Sequence, residues 1–399
     1  MTQESTARAR PWLLVGASTV VIAWGGNQFL PLMQMYRALF DYSQFEVDVL
    51  LAFYIVGIIP GFALAGPLSD RHGRKPVMVA GLALGILGSA LLAVTSSSLI
   101  GMCLGRTVSG LSVAAGMVVG SSWIKEHSQL EGRGEAGARR AAIALSLGFA
   151  GGAGVAGALA QWGPVPTVLP YLVHGTASLL AWIALVRAPE TSPCTGSSSS
   201  LLANLRVPSD GRAVFWRTIA PLAPWVFAAP TLSFAVGPSL VGSRLSGMDV
   251  AFAAAAAVVT LLVGTATQLF SRRLVLALRG HAMSAGVLVC CAGAVLLSLA
   301  ADDGDLWPVA VAAPVFGLGY GLTMVAGLTA VQALATPQTL AGVAAVFYAL
   351  TYVGFLLPAA LAAVAGAVDM RILLLAVAAV GVLTAAASSA RLRGLGRGQ

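Results

Sequence analysis

Gly66-Pro67-Leu68-Ser69-Asp70-Arg71-His72-Gly73-Arg74-Lys75 is the stretch from which the rest of the 399-residue chain can be read. It is an island of charge and glycine between two apolar runs, Val49 to Leu68 and Pro76 to Val94, neither of which carries a charge. Each run is close to the ~20 residues that a helix needs to cross ~30 Å of hydrocarbon. The island therefore reads as a very short loop pinning two membrane helices at one face, and its basic residues point to the cytoplasmic face.

Outward from this loop the pattern repeats. Hydrophobic residues make up 58% of the chain and charged residues 10%, with a mean hydropathy of +0.87; soluble domains carry about 25% charged residues. Uncharged runs predict twelve spans, at 12–33, 48–68, 76–95, 98–121, 141–161 and 168–187, then 217–240, 250–270, 282–300, 307–333, 340–366 and 371–390. Between the two sets lies 188–216, with Thr191-Ser192-Pro193 and the Ser197–Ser200 run, which reads as a flexible polar linker. The expected organisation is an N-terminal six-helix bundle over 1–187, a cytoplasmic linker over 188–216 and a C-terminal six-helix bundle over 217–399. The first apolar run is too long for a signal peptide and should remain as a span.

The net charge of +8 invites a nucleic-acid reading, but its distribution argues against one. With an even number of spans both termini share a face. The segments of that face hold Arg8, Arg10, Arg71, Arg74, Lys75, Lys125, Arg133, Arg139, Arg140, Arg187, Arg206, Arg212, Arg217, Arg272, Arg273, Arg279, Arg391, Arg393 and Arg397, which is 19 of the 23 basic residues. This asymmetry sets membrane orientation and places both termini in the cytoplasm. Cys103, Cys194, Cys290 and Cys291 fit no metal or disulfide spacing and are expected as free thiols.

The loop pattern Gly-x-Leu-x-Asp-Arg-x-Gly-Arg-Lys, filled by Gly66, Leu68, Asp70, Arg71, Gly73, Arg74 and Lys75, resembles the signature between helices 2 and 3 of the major facilitator superfamily. That resemblance implies an all-helical membrane fold of twelve spans, two six-helix bundles related by a pseudo-two-fold axis. It also implies that the loop latches the bundles in the outward-facing state and lets go as the cytoplasmic side opens. Physically, Asp70 could meet the N-terminus of span 11 near Thr339, and Arg71, Arg74 and Lys75 could meet carboxylates or helix C-termini such as that of span 4. Gly66 would let helices approach. A second resemblance, to the superfamily's span-4 motif Arg-x-x-x-Gly-x-x-x-Ala-Ala, covers Arg106, Gly110, Ala114 and Ala115. In proton-coupled exporters that arginine is linked to proton transfer or substrate handling; the structural alternative is an arginine bonded to backbone carbonyls of a broken helix. The glycines of Gly148 to Gly157 in span 5 are similar in density to the antiporter motif of drug exporters, without its Gly-Pro dipeptide.

Arg106 is the one charge placed deep in a span, where ionisable groups are costly and functional by default. His174 in span 6 and Asp48 near the outer end of span 2 are the other coupling candidates, the first as a titrating group or a hydrogen-bonded structural histidine, the second as a vestibule acid or a solvated cap. Trp24, Asn27, Gln28, Tyr54, Gln268, Tyr348 and Tyr352 are the candidates for a midplane binding cavity, and Tyr348 and Tyr352 share a helix face. Hinges are expected at Pro60, Pro224, Pro230, Pro314 and Pro358, and at Gly317-Leu318-Gly319-Tyr320-Gly321.

The reading is a secondary transporter of the plasma membrane that moves a small amphipathic organic molecule by alternating access, in proton-coupled efflux. An uptake symporter or uniporter for a sugar or other neutral solute is the alternative. The expected protein needs no cofactor beyond a proton gradient, no metal and no nucleic acid, and works as a monomer in the lipid bilayer. An intramembrane enzyme is disfavoured because no His-Glu-x-x-His helix or paired intramembrane aspartates are present, and ATP-driven transport because no Gly-x-x-x-x-Gly-Lys-Ser/Thr loop is present. No soluble signalling domain supports a sensor.

Overall fold

The computed structural model describes residues 11–192, 209–278, 280–335 and 340–396. Arg8, Arg10, Cys194, the Ser197–Ser200 run, Arg206, Arg279, Thr339 and Arg397 lie outside the described residues. Everything regular among the described residues is helical. Among the described residues, eleven helical segments are long and apolar enough to cross a membrane, and a twelfth, Leu169–Leu185, is shorter. Buried side chains form two hydrophobic cores. One is built mainly from Val15 to Ala188, the other from Phe215 to Ala385.

Span 1 is Pro11–Asn27 continued, after a break, by Leu32–Phe40. Span 2, Gln44–His72, begins at a capping box in which Ser43 Oγ accepts from the Glu46 amide and Glu46 accepts from the Ser43 amide. Spans 3 to 6 are Arg74–Val94, Leu99–Leu130, Gly134–Trp162 and Leu169–Leu185. Span 4 contains a π-helical turn at Gly116–Gly120. In the second half, span 7 is an irregular run through Trp225–Arg244, and spans 8 to 10 are Asp249–Phe270, Ala282–Asp303 and Leu306–Leu334. Span 11 is split into Leu340–Tyr352 and Leu357–Val364 around a 3-10 turn, and span 12 is Met370–Gly396.

Several expectations change. The Gly66–Lys75 island is hardly a loop: span 2 runs to His72, span 3 starts at Arg74, and Gly73 alone is non-helical, at φ +97°. Only glycine holds that conformation without strain. Gly66 is not a close-approach site, because a Cβ there would meet only Val118, at 3.9 Å. Gly57 and Gly110 fill that role instead, since a Cβ on either would strike the other helix's backbone, at Thr107 O and Tyr54 O respectively. Helices also run unbroken through Pro60 and Pro314, while the irregular turns fall near Pro224, Pro230 and Pro358. The glycines of span 10 are contact points, with Gly319 against Cys290 and Gly321 against Gly264 of neighbouring helices. Cys103, Cys290 and Cys291 are buried free thiols.

Candidate substrate cavity and its two seals

Span 1 ends early, and that frees a carbonyl. The Leu30 amide turns to Asn27 O, so Gly26 O is left to accept from Arg106 Nη1 at 3.4 Å. The Gly57–Gly110 contact brings span 4 against span 2, where Arg106 Nε donates to Leu50 O at 3.3 Å. The guanidinium lies between two rings, 4.6 Å from the centroids of both Phe29 and Tyr54. Arg106 is fully buried and, among the described residues, its guanidinium pairs with no carboxylate and its Nη2 has no partner. Each such ring contact contributes about 2 kcal/mol when desolvated. The arginine thus ties spans 1, 2 and 4 together and stands directly behind Tyr54.

Tyr54 is part of the wall of a cavity of ≈ 290 Å³ between the two halves. Asn27, Gln268, Tyr348 and Tyr352 also line it, so five of the seven predicted binding residues converge. Trp24 and Gln28 do not. Gln28 Nε2 donates to Ser89 Oγ at 3.1 Å, and Trp24 packs edge-on against His174 inside the first half. His174 is buried, with Nε2 3.0 Å from Val21 O and Nδ1 2.7 Å from Ser89 Oγ. A carbonyl only accepts, so Nε2 carries hydrogen and Nδ1 accepts from the Ser89 hydroxyl. Both ring nitrogens are satisfied within the bundle. Asp48 is buried rather than a solvated cap: it accepts from Gln44 Nε2 at 3.0 and 3.1 Å and does not line the cavity.

Other lining groups escaped the sequence reading, among them Phe149, Phe227, Phe234, Tyr320, Phe355, Ser146 and a stripe of Met117, Ser121 and Lys125. The four-residue spacing of that stripe and the place of Phe227 between Pro224 and Pro230 were the available signals.

Toward the face opposite the linker, the halves are joined. Gln161 at the end of span 5 donates to Gly247 O at 2.9 Å and accepts from the Ala251 amide at 3.1 Å. Span 8 has no side-chain cap of its own, so a side chain from the other half supplies it. Glycines of span 5 face both ways along the seam: Gly148 and Gly152 meet span 1, and Gly154 and Gly157 meet Val258 and Ala254 of span 8. Deeper in, Thr265 Oγ1 donates to Ser146 Oγ at 2.9 Å. Across the other seam, Tyr54 stacks toward Tyr352 and Phe355, and Phe62 toward Tyr348 and Tyr352, at 5.6–6.3 Å between centroids.

Toward the linker face, the charged hairpin binds only its own half among the described residues. Arg74 pairs with Asp70 at 2.7 Å and Glu126 at 2.9 Å. Thr191 Oγ1 donates to Glu126, and Lys75 Nζ donates to Val186 O at the end of span 6. Glu190 accepts from the amides of Arg74, Lys75, Thr191 and Ser192 at 2.8–3.2 Å, capping span 3 where Gly73 cannot. Its burial works to raise the carboxyl's pKa, but those four amides outweigh it and hold the group below its ordinary range. The linker therefore begins as a docked cap. Asp70 and Arg71 are exposed, and Arg71 makes no ion pair among the described residues.

A family model described as Major Facilitator Superfamily matches residues 13–357. In Bacillus subtilis (strain 168), an uncharacterized MFS-type transporter, YceJ, is 35% identical over 107 residues, 26% of each chain. The bacillibactin exporter of the same organism is 31% identical over 78 residues, covering 20% of this chain and 19% of that one. The matched stretch thus spans about a quarter or less of these curated relatives. Among solved structures, a mutant form of the nucleoside transporter NupG aligns with a TM-score of 0.76 at 13% identity, covering 96% of this chain and 99% of that one. A POT family peptide transporter gives 0.72 at 15% identity, covering 96% and 97%. The human organic anion transporter MFSD10 gives 0.65 at 16% identity, covering 95% and 99%.

Proposed function

Because the chain belongs to the major facilitator superfamily, we propose that it is a secondary transporter that carries a small amphipathic organic molecule by alternating access. One observation carries this reading: a cavity between the halves, walled by aromatic rings and a few amides, sealed toward one face by inter-half contacts and reaching Lys125 toward the other. A site at the interface of two rigid bodies can be exposed to one side at a time by rocking. The chain is not an enzyme; its described groups are arranged to enclose a solute.

The face that carries the hairpin and the linker is cytoplasmic, and the membrane is the plasma membrane. The excess of arginine and lysine on that face supports this. The conformation described is then open to the cytoplasm. In the opposite conformation the hairpin latches the halves, with Asp70 meeting the second half while Arg71, Arg74 and Lys75 brace it. Export by proton exchange is the favoured direction, and the partial likeness to an exporter supports it. Arg106, His174 and Asp48 are the coupling residues. Asp48, a buried carboxylate held by a single glutamine, is the clearest proton-carrying candidate among the described spans.

Counterflow in proteoliposomes, run with and without an imposed pH gradient, tests the proposal. Flux that depends on the gradient supports proton exchange. Gradient-independent flux would leave a uniporter, and no flux of any amphipathic probe would reject the transporter reading.

A further inference from the structure

Resting on that transporter reading, we propose that the cavity selects organic anions: weak acids carried on a flat apolar frame. The observation is a charge imbalance. Among the described residues that line the cavity, Lys125 is the one charged residue, and none is Asp or Glu. The Lys125 side chain is exposed and takes no part in the ion pairs among the described residues. A second cation stands one ring behind the wall. The Arg106 guanidinium is 4.6 Å from the centroid of Tyr54, is fully buried, and has one nitrogen without a partner.

Lys125 on the wall and Arg106 behind it therefore face whatever enters, with no carboxylate among the described lining residues. A cleft with low-dielectric walls and one sign of charge concentrates the opposite sign. Burial weakens screening for the deeper of the two. An ammonium-bearing solute would find ring faces but no carboxylate to pair with in the described lining, because the buried carboxylate Asp48 is turned to Gln44 and lies outside it. The rest of the wall fixes the other half of the chemistry. Phe227 and Tyr352 sit with centroids 4.5 Å apart, and Tyr348 continues the aromatic surface, which suits a planar body. The acid group would lie toward Lys125 and the ring system toward these aromatics. A volume of ≈ 290 Å³ fits a frame of one or two fused rings.

Matched probe triads on one frame test the charge directly, for instance indole-3-acetate, indole-3-acetamide and tryptamine, with a naphthalene triad beside them. Equilibrium binding to the full chain in nanodiscs should favour the carboxylate over the amine by about tenfold or more. Lys125→Gln should collapse that preference several-fold, and Lys125→Glu should reverse it; thermal unfolding checks that both variants fold. Equal or better binding of the amine by the unmodified protein would overturn the inference. So would an order unchanged in both variants, or no binding of any probe at millimolar concentration. Counterflow of the same probes separates the two readings. Carboxylate-selective binding without flux would reject the transporter reading alone, and flux indifferent to charge would reject the anion selectivity alone.

Discussion

The two ends of the inter-half interface are held by different chemistry. On the sealed end the joining groups are neutral: an amide that caps a helix across the seam, and glycine facing alanine. On the parted end the groups are charged, and among the described residues they close on their own half through Arg74, Glu126 and Glu190. Neutral contacts of this kind contribute about 0.5–2 kcal/mol each. A seal made of a few of them is stable yet reversible. In the proposed latch, a hairpin whose charges are already satisfied at home would lose little on letting go. For the proposed alternating-access cycle, the difference would keep the two conformations within a few kcal/mol of each other.

The largest effect should come from making the neutral seal permanent. Cysteines at Gln161 and Gly247, joined by a short bifunctional thiol reagent in a background without native cysteines, should abolish counterflow, and reductive release should restore it. Persisting flux in the cross-linked protein would mean that this end does not open. Next comes Asp70→Asn, expected to reduce flux about tenfold with insertion and melting temperature unchanged. Asp70 is exposed and among the described residues pairs only with Arg74, so its loss should cost the opposite conformation alone. Full activity would remove the latch from the mechanism.

Gln161→Ala should weaken the seal by about 1–2 kcal/mol, and so raise the population open at that end roughly 5–30-fold. Thiol labelling of a cysteine placed at Phe234, reached from the face opposite the linker, should rise accordingly. The smallest effect concerns pH. The Glu190 carboxyl is held below its unfolded range, so its contribution is complete above that range and lost as pH falls through the native value. Amide exchange at Arg74 and Lys75 should show equal protection at pH 7 and pH 5, with protection lost only in stronger acid. In Glu190→Ala the protection should drop at pH 7 and pH 5 alike and match the unmodified protein in stronger acid.

The sequence made some of this legible and hid the rest for physical reasons. Spans are written in uncharged length, so the twelve were readable, although their ends were drawn short where charged helix extends past the hydrocarbon, as at Gly134 and Leu130. A charged island looked like a loop because composition cannot distinguish a solvated helix end from a turn; only Gly73 breaks the helix. Tyr54, Gln268, Tyr348 and Tyr352 were found because polar aromatics and amides are rare in spans. Trp24 and Gln28 share that rarity but serve the Ser89–His174 network, which depends on contacts far apart in sequence. Gln161 and Glu190 were invisible for the same reason: each caps a helix from another segment, and no local pattern announces that.

Distances across both ends, measured together, test alternating access most directly. Spin labels at Trp162 and Met248 report the sealed end, and labels at Leu130 and Phe270 report the parted end, read by double electron–electron resonance with and without a transported solute. Alternating access predicts opposite movements: the first pair separates in the same population in which the second pair closes. Two pairs that lengthen together, or that stay fixed while flux proceeds, would contradict it.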